Sequence, residues 1–412
     1  MASGARASGG WVWLAALTVV LCLWYPTFIS SLGLVPYNWT YQELLVNWQG
    51  GFVRRGLYGS VVLWLHNAVG VDAILFTGIV FVVGTILEVV LLFGLLWQYR
   101  GNPFVVLLVA LSPVTLLFGV YDVGAYWRKE LFLNLAILTH AWVARAAIRG
   151  SISRDGYTAF VALVMAPWLV VNTLIYEVQA FFLPFHFAIT LSVLRITRSE
   201  GDGVIAYIAI GAAYVLAFLP FVLSVLLHGD PASSALMFDA VKDWSGVSGN
   251  DALVAHGWTL AQSYGLSAQL LGNPISALTY VGGFLVGPVM LMLLLLTQID
   301  PEIEEQGQAA FPTWTLFPPM ALFIVGWDYG RWIHMIAIAA VAYLLHYPTR
   351  AGPAVMIVRR GPYAWIVPFL VVSWSVLYIV AWQLPHCCQV ETIGGGFLPA
   401  VERFFRPLVT AF

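Results

Sequence analysis

Long apolar runs recur along the whole of this 412-residue chain, and they constrain its fold more than any other feature. A helix needs about 20 mainly apolar residues to cross the hydrocarbon core of a bilayer. Inside lipid every backbone polar group has to be paired within the protein, so repeated runs of this length form helices. The alternating pattern of a membrane β-barrel is absent. The sequence therefore predicts an all-α fold, a polytopic membrane helical bundle.

The runs predict about 11 transmembrane helices by the rule of roughly 20 residues per span. The expected spans cover approximately 11–33, 71–98, 103–120, 131–148, 157–175, 178–195, 204–227, 276–297, 312–327, 332–347 and 362–383. The close pair that meets at Tyr176 and Glu177 also fits a single broken or re-entrant element. Hydrophobic residues make up 61% of the chain, which excludes a soluble core, and residues 1–412 are expected to form a single integral membrane domain.

The distribution of lysine and arginine predicts a cytoplasmic N-terminus, because these residues favour the cytoplasmic side. The first apolar run is longer than a signal-peptide core, so we expect it to be a retained span. Three segments then lie outside: a loop over 35–70 with an interfacial helix, a large loop over 228–275, and an amphipathic tail over 396–412.

Three motifs place positive charge at the predicted outer ends of spans, against the usual asymmetry. They are 50–59 with Arg54 and Arg55, 122–130 with Arg128 and Lys129, and 328–334 with Arg331. Glycine allows a ligand close to the backbone, and the planar guanidinium group matches phosphate oxygens. Each motif also has a structural explanation: contact with lipid headgroups, a self-neutralised turn or an ion pair at a helix end. Together they predict that arginines distant in sequence meet in one pocket for an anion.

Acidic and imidazole side chains complete the candidate site. At helical spacing, Asp328, Arg331 and His334 lie along one side of the tenth predicted span. An acid at that position can serve as a general base. Glu177 is a second candidate base, an arginine partner, or a helix-end carboxylate exposed to water. Glu88 lies within a span, where such a residue relays protons in transporters or bonds to a neighbouring helix.

Missing motifs argue against ATP hydrolysis, α/β-hydrolase chemistry and zincin-type proteolysis. The chain has no Walker loop, no GxSxG elbow and no HExxH motif. The sequence lacks a dense basic patch, so we expect no nucleic-acid binding. The three cysteines, Cys22 and the adjacent Cys387 and Cys388, form no zinc pattern. We expect no cofactor and no metal.

The combination of many spans, short inner loops and outer loops carrying Arg with Asp or Glu resembles enzymes that use polyprenyl-linked sugars. Two groups share it: the O-antigen or capsule repeat-unit polymerases and ligases, and the GT-C membrane glycosyltransferases. The resemblance covers topology and charge placement along the whole chain, and no signature motif. GT-C enzymes usually carry an acidic pair in the first outer loop, whereas this loop has Glu43 followed by Arg54 and Arg55. That departure favours the polymerase-like group.

The resemblance implies an inverting, metal-independent glycosyltransferase in a bacterial inner membrane. Its donor would be a glycan on a polyprenyl diphosphate, and its partners would be membrane lipid and other polysaccharide-assembly proteins. The implied roles are catalytic for Asp328 and Glu177, and substrate-binding for Arg54, Arg55, Arg128, Lys129, Arg331 and His334. A transporter or flippase for an anionic lipid-linked substrate is the alternative, and a non-catalytic assembly subunit is a third.

Overall fold

A computed structural model describes most of the chain. The described ranges are 3–33, 38–197, 204–227, 229–247, 274–300, 311–326, 328–349, 366–384 and 397–410, together with 253, 265 and 268. Within these ranges the regular structure is helical, and no strand exceeds an isolated bridge. The all-helical class is therefore confirmed.

The described ranges contain eighteen α-helices, which are numbered in chain order. They are α1 Ser3–Gly33, α2 Asn38–Leu44, α3 Gly56–Val69, α4 Ala73–Leu96, α5 Pro103–Ala110, α6 Phe118–Tyr121, α7 Glu130–Ile148, α8 Arg154–Phe160, α9 Ala166–Ile175, α10 Gln179–Ile196, α11 Val204–Leu226, α12 Pro231–Asp239, α13 Pro274–Phe284, α14 Met290–Leu296, α15 Phe317–Val325, α16 Tyr329–Leu345, α17 Ile366–Ala381 and α18 Phe397–Thr410. A π-helical turn joins α8 to α9 (Val161–Met165) and another joins α13 to α14 (Leu285–Val289).

Seven helical segments in the described part of the chain are long and apolar enough to cross a membrane. They are Gly10–Ile29, Ala73–Tyr99, Glu130–Ile148, Arg154–Ile175, Gln179–Ile196, Tyr207–Leu226 and Leu278–Leu296. Shorter apolar helices cover Thr313–Ile324, Tyr329–Leu345 and Val372–Ala381. The membrane-protein class follows from these lengths. The count of about 11 spans and the cytoplasmic N-terminus remain predictions.

The expected span over 103–120 is not one helix. Helix α5 ends at Ala110, and irregular turns lead to the short α6. Pro113 has no N–H to donate and its ring is incompatible with a helix interior. The Ser112 hydroxyl accepts the Val114 N–H at 3.2 Å, and the Thr115 hydroxyl donates to the Val109 carbonyl at 2.6 Å. Irregular backbone is tolerated at membrane depth where protein surrounds it, and these residues are buried.

The close pair of spans around Tyr176 and Glu177 consists of two separate helices. Helix α9 ends at Ile175, Tyr176 adopts an extended conformation, and α10 begins at Gln179. Each neighbouring segment is long enough to span by itself. The tight connection holds Tyr176 and Glu177 at the ends of both helices.

Two buried helices, α7 and α16, form the centre of the bundle. All residues of α16 are buried, and this helix packs against α7, α10 and α14. Its run of alanines allows neighbouring helices to approach closely, as small residues do in membrane bundles. Helix α7 also packs against α4 and α10. This packing brings the first residues of α7 and α16 together.

Within the predicted outer loop 35–70, the described residues 38–70 fold compactly and contain α2 and α3. The Trp48 N–H donates to the Ser60 hydroxyl at 3.0 Å, and its indole N–H donates to the Val53 carbonyl at 3.0 Å. Gly59 lies very close to the backbone at Val46. A Cβ at this position would be 2.1 Å from the Val46 carbonyl oxygen. The predicted helix in this loop is thus present, and its interfacial position stays a prediction.

The other two predicted outer segments are described only in part. Helix α12 lies in the 228–275 loop, where the Asn47 side-chain amide donates to the Met237 carbonyl at 3.3 Å. Residues 228, 248–252, 254–264, 266–267 and 269–273 of that loop lie outside the described residues. Helix α18 occupies the predicted tail.

The close approach at Gly59 makes a stability prediction. Gly59→Ala should destabilise the protein by about 1–3 kcal/mol, because the new methyl group meets backbone that cannot rotate away. Thermal unfolding of the purified protein in one detergent measures the change. Gly211→Ala in α11 is the matched control, since nothing lies within 4 Å of its Cβ position. An equal loss of stability in both variants would contradict the predicted contact.

Candidate functional site

Charged side chains from four parts of the chain meet at the beginnings of α7, α10 and α16. We call this group the arginine–glutamate cluster, and it comprises Glu43, Arg54, Arg55, Arg128, Lys129, Glu130, Glu177, Asp328 and Arg331. The cluster has five basic and four acidic members, so its formal charge is +1 when all are ionised. The arginines of the three sequence motifs thus lie in one site.

Glu43 is the carboxylate that the arginines share. Its Oε1 accepts a hydrogen bond from Arg55 Nη1 at 2.9 Å and lies 3.8 Å from Arg331 Nη2. Its Oε2 accepts from Arg128 Nη1 at 2.5 Å. Burial alone would raise the pKa of Glu43, but the surrounding charges of Arg331, Arg128 and Arg55 hold it well below its usual range. One buried anion therefore joins three separate segments.

Glu177 forms a bidentate ion pair with Arg55. Arg55 Nε lies 2.7 Å from Oε2 of Glu177 and Arg55 Nη2 lies 2.8 Å from Oε1, while Arg54 Nη1 is 3.8 Å from Oε1. Burial favours the protonated acid, yet the charges of Arg55 and Arg54 and the Arg55 hydrogen bond lower the pKa of Glu177 to about 2. Such a carboxylate is a weak proton acceptor at neutral pH. The geometry fits an anchor for the two arginines better than a general base.

Arg331 is almost completely buried and has two acidic partners. Its Nε and Nη2 both lie 2.5 Å from Glu130 Oε1, and its Nη1 lies 2.7 Å from Asp328 Oδ2. The Tyr176 hydroxyl donates to the same Glu130 oxygen at 3.1 Å. The ring of Tyr176 lies 4.9 Å from the Arg55 guanidinium carbon and 5.8 Å from that of Arg331. Both guanidinium groups lie within cation–π distance of this ring, which stabilises their charge.

Lys129 is buried with little to pair its charge. It is 1% exposed, and its Nζ donates to the Arg55 carbonyl at 3.4 Å. Burial lowers the pKa of Lys129 to about 7, with Glu43 and Glu177 opposing the shift and Arg55 and Arg331 adding to it. Lys129 is therefore only partly protonated near neutral pH, and a bound anion would favour the protonated form.

One side of the cluster is open. The side chain of Arg54 is 31% exposed, that of Asp328 is 30% exposed, and that of Arg55 is 20% exposed. Arg54 Nε has no hydrogen-bond partner among the described residues. An anion that approaches from this side would meet Arg54 first.

The backbone is strained next to the cationic side chains. Arg55 has φ 65° and Trp127 has φ 59°, the two positive values at non-glycine positions in the described ranges. Such conformations cost about 1–3 kcal/mol each and persist only where surrounding contacts enforce them. Arg55 precedes α3, and Trp127 precedes Arg128 and Lys129, so both strained residues aim cations into the cluster.

His334 lies behind the cluster, one helical turn below Arg331. Its Nδ1 lies 3.0 Å from the Val114 carbonyl oxygen and its Nε2 lies 3.0 Å from Asn134 Nδ2. The ring stacks on Phe118 at 4.6 Å between centroids. Both ring nitrogens thus bond within the protein, and the expected role of His334 in substrate binding remains a prediction.

An apolar groove begins one helical turn from Glu177. It has a volume of about 560 Å³ and lies between α10, α11 and the beginning of α15. Its walls include Ala180, Phe181, Phe187, Phe218, Phe221 and Trp314. Because Ala180 and Glu177 are neighbours at the same end of α10, the groove leads away from the polar cluster along the helix.

The sequence missed three members of the site as functional residues. In the sequence, Glu43 is a lone acid in the first outer loop, Glu130 ends the 122–130 motif, and Tyr176 precedes Glu177 where two predicted spans meet. Glu130 and Tyr176 adjoin charged residues in short connections, whereas no charged residue adjoins Glu43. Which oxygen each arginine would choose depends on contacts between distant segments, and sequence spacing does not contain them.

The described residues contain no group of three or more His, Cys, Asp or Glu side chains placed to hold a metal ion. No protein-family description matches the chain, and neither curated proteins nor solved structures provide a match.

Removing the shared carboxylate should damage the fold. Glu43→Gln should lower the free energy of unfolding by about 3–5 kcal/mol, because Arg55 and Arg128 lose their common buried counter-charge. Chemical unfolding in detergent measures this. The control is Asp239→Asn, whose ion pair with Lys242 is about half exposed on both sides, and a loss within about 1 kcal/mol is expected there. Similar losses in the two variants would show that Glu43 does not organise the cluster.

The buried Lys129 predicts pH-dependent anion binding. Affinity for inorganic diphosphate should fall as the pH rises above about 7, since neutral Lys129 no longer contributes charge. The limit is about tenfold per pH unit for one linked proton. Lys129→Arg stays charged throughout and should remove this component, while the ionisation of diphosphate itself affects both proteins equally. Calorimetric titrations between pH 6 and 9 compare them, and parallel profiles would contradict the assignment.

Proposed function

We propose that this protein is a membrane glycosyltransferase or repeat-unit polymerase. It transfers a sugar or glycan from a polyprenyl-diphosphate donor at the outer, periplasmic face of a bacterial inner membrane, during assembly of a cell-surface polysaccharide. The observation that supports it most is the meeting of five cationic side chains from separate segments in one largely buried cluster.

The charge of the cluster suits a diphosphate. Buried ionic groups are costly at membrane depth and are usually functional. Four carboxylates balance the cations, but an excess positive charge remains when Lys129 is protonated. Arg54 has donor capacity to spare on the open side. Guanidinium groups bind phosphate oxygens in pairs, so Arg54 and Arg55 can hold one phosphate while Lys129 gains a proton.

The apolar groove suits a lipid tail. Its aromatic and aliphatic walls begin at Ala180, next to the Glu177 end of the cluster. A lipid diphosphate needs a polar site and a hydrocarbon path that start at the same point. The membrane location of the bundle is explained by the same requirement, because the donor does not leave the bilayer.

The proposed step is a displacement at the anomeric carbon. The hydroxyl oxygen of an acceptor sugar forms a bond to that carbon as the bond to the diphosphate oxygen breaks. The electron pair leaves with the diphosphate, and the hydroxyl proton passes to a carboxylate. Charge develops on the departing diphosphate, so fixed cations in a water-poor site lower the barrier. Attack from the opposite face inverts the configuration.

Asp328 is the better placed of the two candidate bases. Both oxygens of Glu177 bond to Arg55, and its pKa is about 2. Asp328 bonds to Arg331 through Oδ2, and its side chain is 30% exposed at the open side. It can therefore reach an acceptor hydroxyl while its pairing with Arg331 orients it. Glu177 then serves to position Arg54 and Arg55.

The transporter or flippase alternative is supported by different features. Helices α10 and α11 contain Pro184 and Pro220, and two spans contain π-helical turns. Interrupted helices near the middle of spans are typical of transporters. Glu88 is buried within α4. These features fit a conformational cycle but explain the arginine–glutamate cluster less directly.

Site variants test the transfer reaction in vitro. Arg54→Ala, Arg331→Ala and Asp328→Asn should each reduce elongation of a lipid-linked acceptor by about 10²–10³-fold, the range typical for loss of one group that stabilises developing charge. The assay uses purified protein in vesicles with no ion gradient, and chromatography resolves the lipid-linked products.

The matched control is Lys242→Ala, which removes an exposed cation from the same predicted outer side. It should keep normal activity. Full activity in all three site variants at normal expression would rule out the proposed mechanism. Movement of the lipid between leaflets without elongation would favour the flippase instead.

A further inference from the structure

A small cavity with polar and apolar walls lies directly behind the arginine–glutamate cluster. It has a volume of about 50 Å³, and Glu88, Trp127, Arg128, Glu130, Asn134 and His334 line it. A buried water needs about 10–15 Å³ and two to four polar partners. The cavity is therefore large enough for water and lies among groups that can bind it.

Three buried polar atoms around this cavity have no partner among the described residues. They are the indole nitrogen of Trp127, Oε2 of Glu130 and Oδ1 of Asn134. The three residues are 0%, 4% and 2% exposed. Leaving such a group unpaired costs about 1–3 kcal/mol, so water that pairs with these atoms is favoured. One donor and two acceptors match a water molecule, which can accept from Trp127 and donate to the two oxygens.

Glu88 is the titratable group at the far side of the cavity. It is 7% exposed within α4, and none of the described residues forms an ion pair with it. Its Oε1 accepts a hydrogen bond from Asn134 Nδ2 at 2.9 Å. Burial at membrane depth without a counter-charge favours the protonated form of this carboxyl group while the cluster is empty.

Asn134 and His334 hold this carboxyl group in a defined arrangement. His334 Nδ1 faces the Val114 carbonyl at 3.0 Å, so this nitrogen carries a hydrogen. His334 Nε2 then accepts from Asn134 Nδ2 at 3.0 Å. Because the Asn134 amide nitrogen donates to both Glu88 and His334, its carbonyl oxygen is left for the cavity water.

We propose that Glu88 and the cavity water form a proton-binding site that supplies Glu130 of the cluster. Glu130 and Asn134 lie one turn apart on α7, and both line the cavity. The Glu88 carboxyl gives its proton to the water, and the water passes one of its own protons to Glu130 Oε2. The water is unchanged, Glu88 becomes an anion, and Glu130 becomes neutral.

The transfer would release Arg331 for a ligand. Arg331 pairs with Glu130 through Oε1, and a neutral Glu130 holds it less strongly. The cluster then gains one positive charge at the moment when an anion arrives. The charged and titratable residues that line the cavity are Glu88, Tyr126, Arg128, Glu130 and His334. This inference does not depend on the sugar-transfer reaction.

Infrared spectroscopy of the purified protein in lipid nanodiscs tests the site directly. The wild type should show the C=O stretching band of a protonated carboxyl group at neutral pH, with the frequency shift expected on transfer to D₂O. Glu88→Gln should remove that band. Asn134→Leu should move it, because the hydrogen bond to Oε1 is lost. Addition of inorganic diphosphate should change the frequency of the band in the wild type, because the proton moves from Glu88 to Glu130, and should leave the band unchanged in Glu130→Gln.

Asp72→Asn is the matched control, since Asp72 is an exposed carboxyl at the beginning of the same helix and Asn preserves its capping role. It should keep the band. The same band in Glu88→Gln, or no band in wild type and Asp72→Asn, would overturn the proposal. Loss of the wild-type band on addition of sodium would assign the site to a cation, and that result also overturns it. Because the D₂O and diphosphate responses use wild-type protein, a misfolded variant does not block the test.

Discussion

Compensation of buried charge is the constraint on which the arrangement of this bundle depends. Glu43 binds Arg55 and Arg128 directly and lies near Arg331, so one carboxylate ties the first loop to the beginnings of α7 and α16. Each ion taken from water needs a partner, and removal of one partner leaves another charge buried and unpaired. Glu177 likewise forms ion pairs with Arg55 and Arg54. The loops are therefore held by electrostatics as well as by packing.

A cluster this well compensated can still receive an anion, because its compensation is uneven. Arg331 and Arg128 are deep and fully paired, whereas Arg54 is partly exposed and has an unpaired nitrogen. Lys129 changes its charge with its surroundings because burial lowers its pKa to about 7. The backbone is strained at Arg55 and at Trp127, which precedes Arg128 and Lys129. Surrounding contacts therefore hold these segments in place at a conformational cost. A fixed, water-poor set of donors suits a ligand whose negative charge grows during reaction.

Helices α7 and α16 connect the surface chemistry to the interior. Glu130 and Asn134 are one turn apart on α7, and Arg331 and His334 are nearly one turn apart on α16. Glu130 and Arg331 belong to the cluster, whereas Asn134 and His334 bond to each other beside the cavity. The two helices therefore place an ionic site and a neutral hydrogen-bonded site next to each other. The proposed proton transfer from Glu88 to Glu130 would couple the two sites.

The amino-acid sequence determined the class of this protein, because only helices pair their backbone throughout such long apolar runs. It also identified most of the cations, since Arg54, Arg55, Arg128 and Arg331 stood at helix ends among glycine and acidic residues. It did not reveal the break after Ala110, where Pro113 interrupts a run apolar enough for a span. Only the tertiary structure decided that Glu43 and Glu130 are the partners of these arginines and that Glu177 is occupied by Arg55. Hydropathy is a local property of the chain, whereas ion pairing between residues 43, 128 and 331 depends on how separate helices pack.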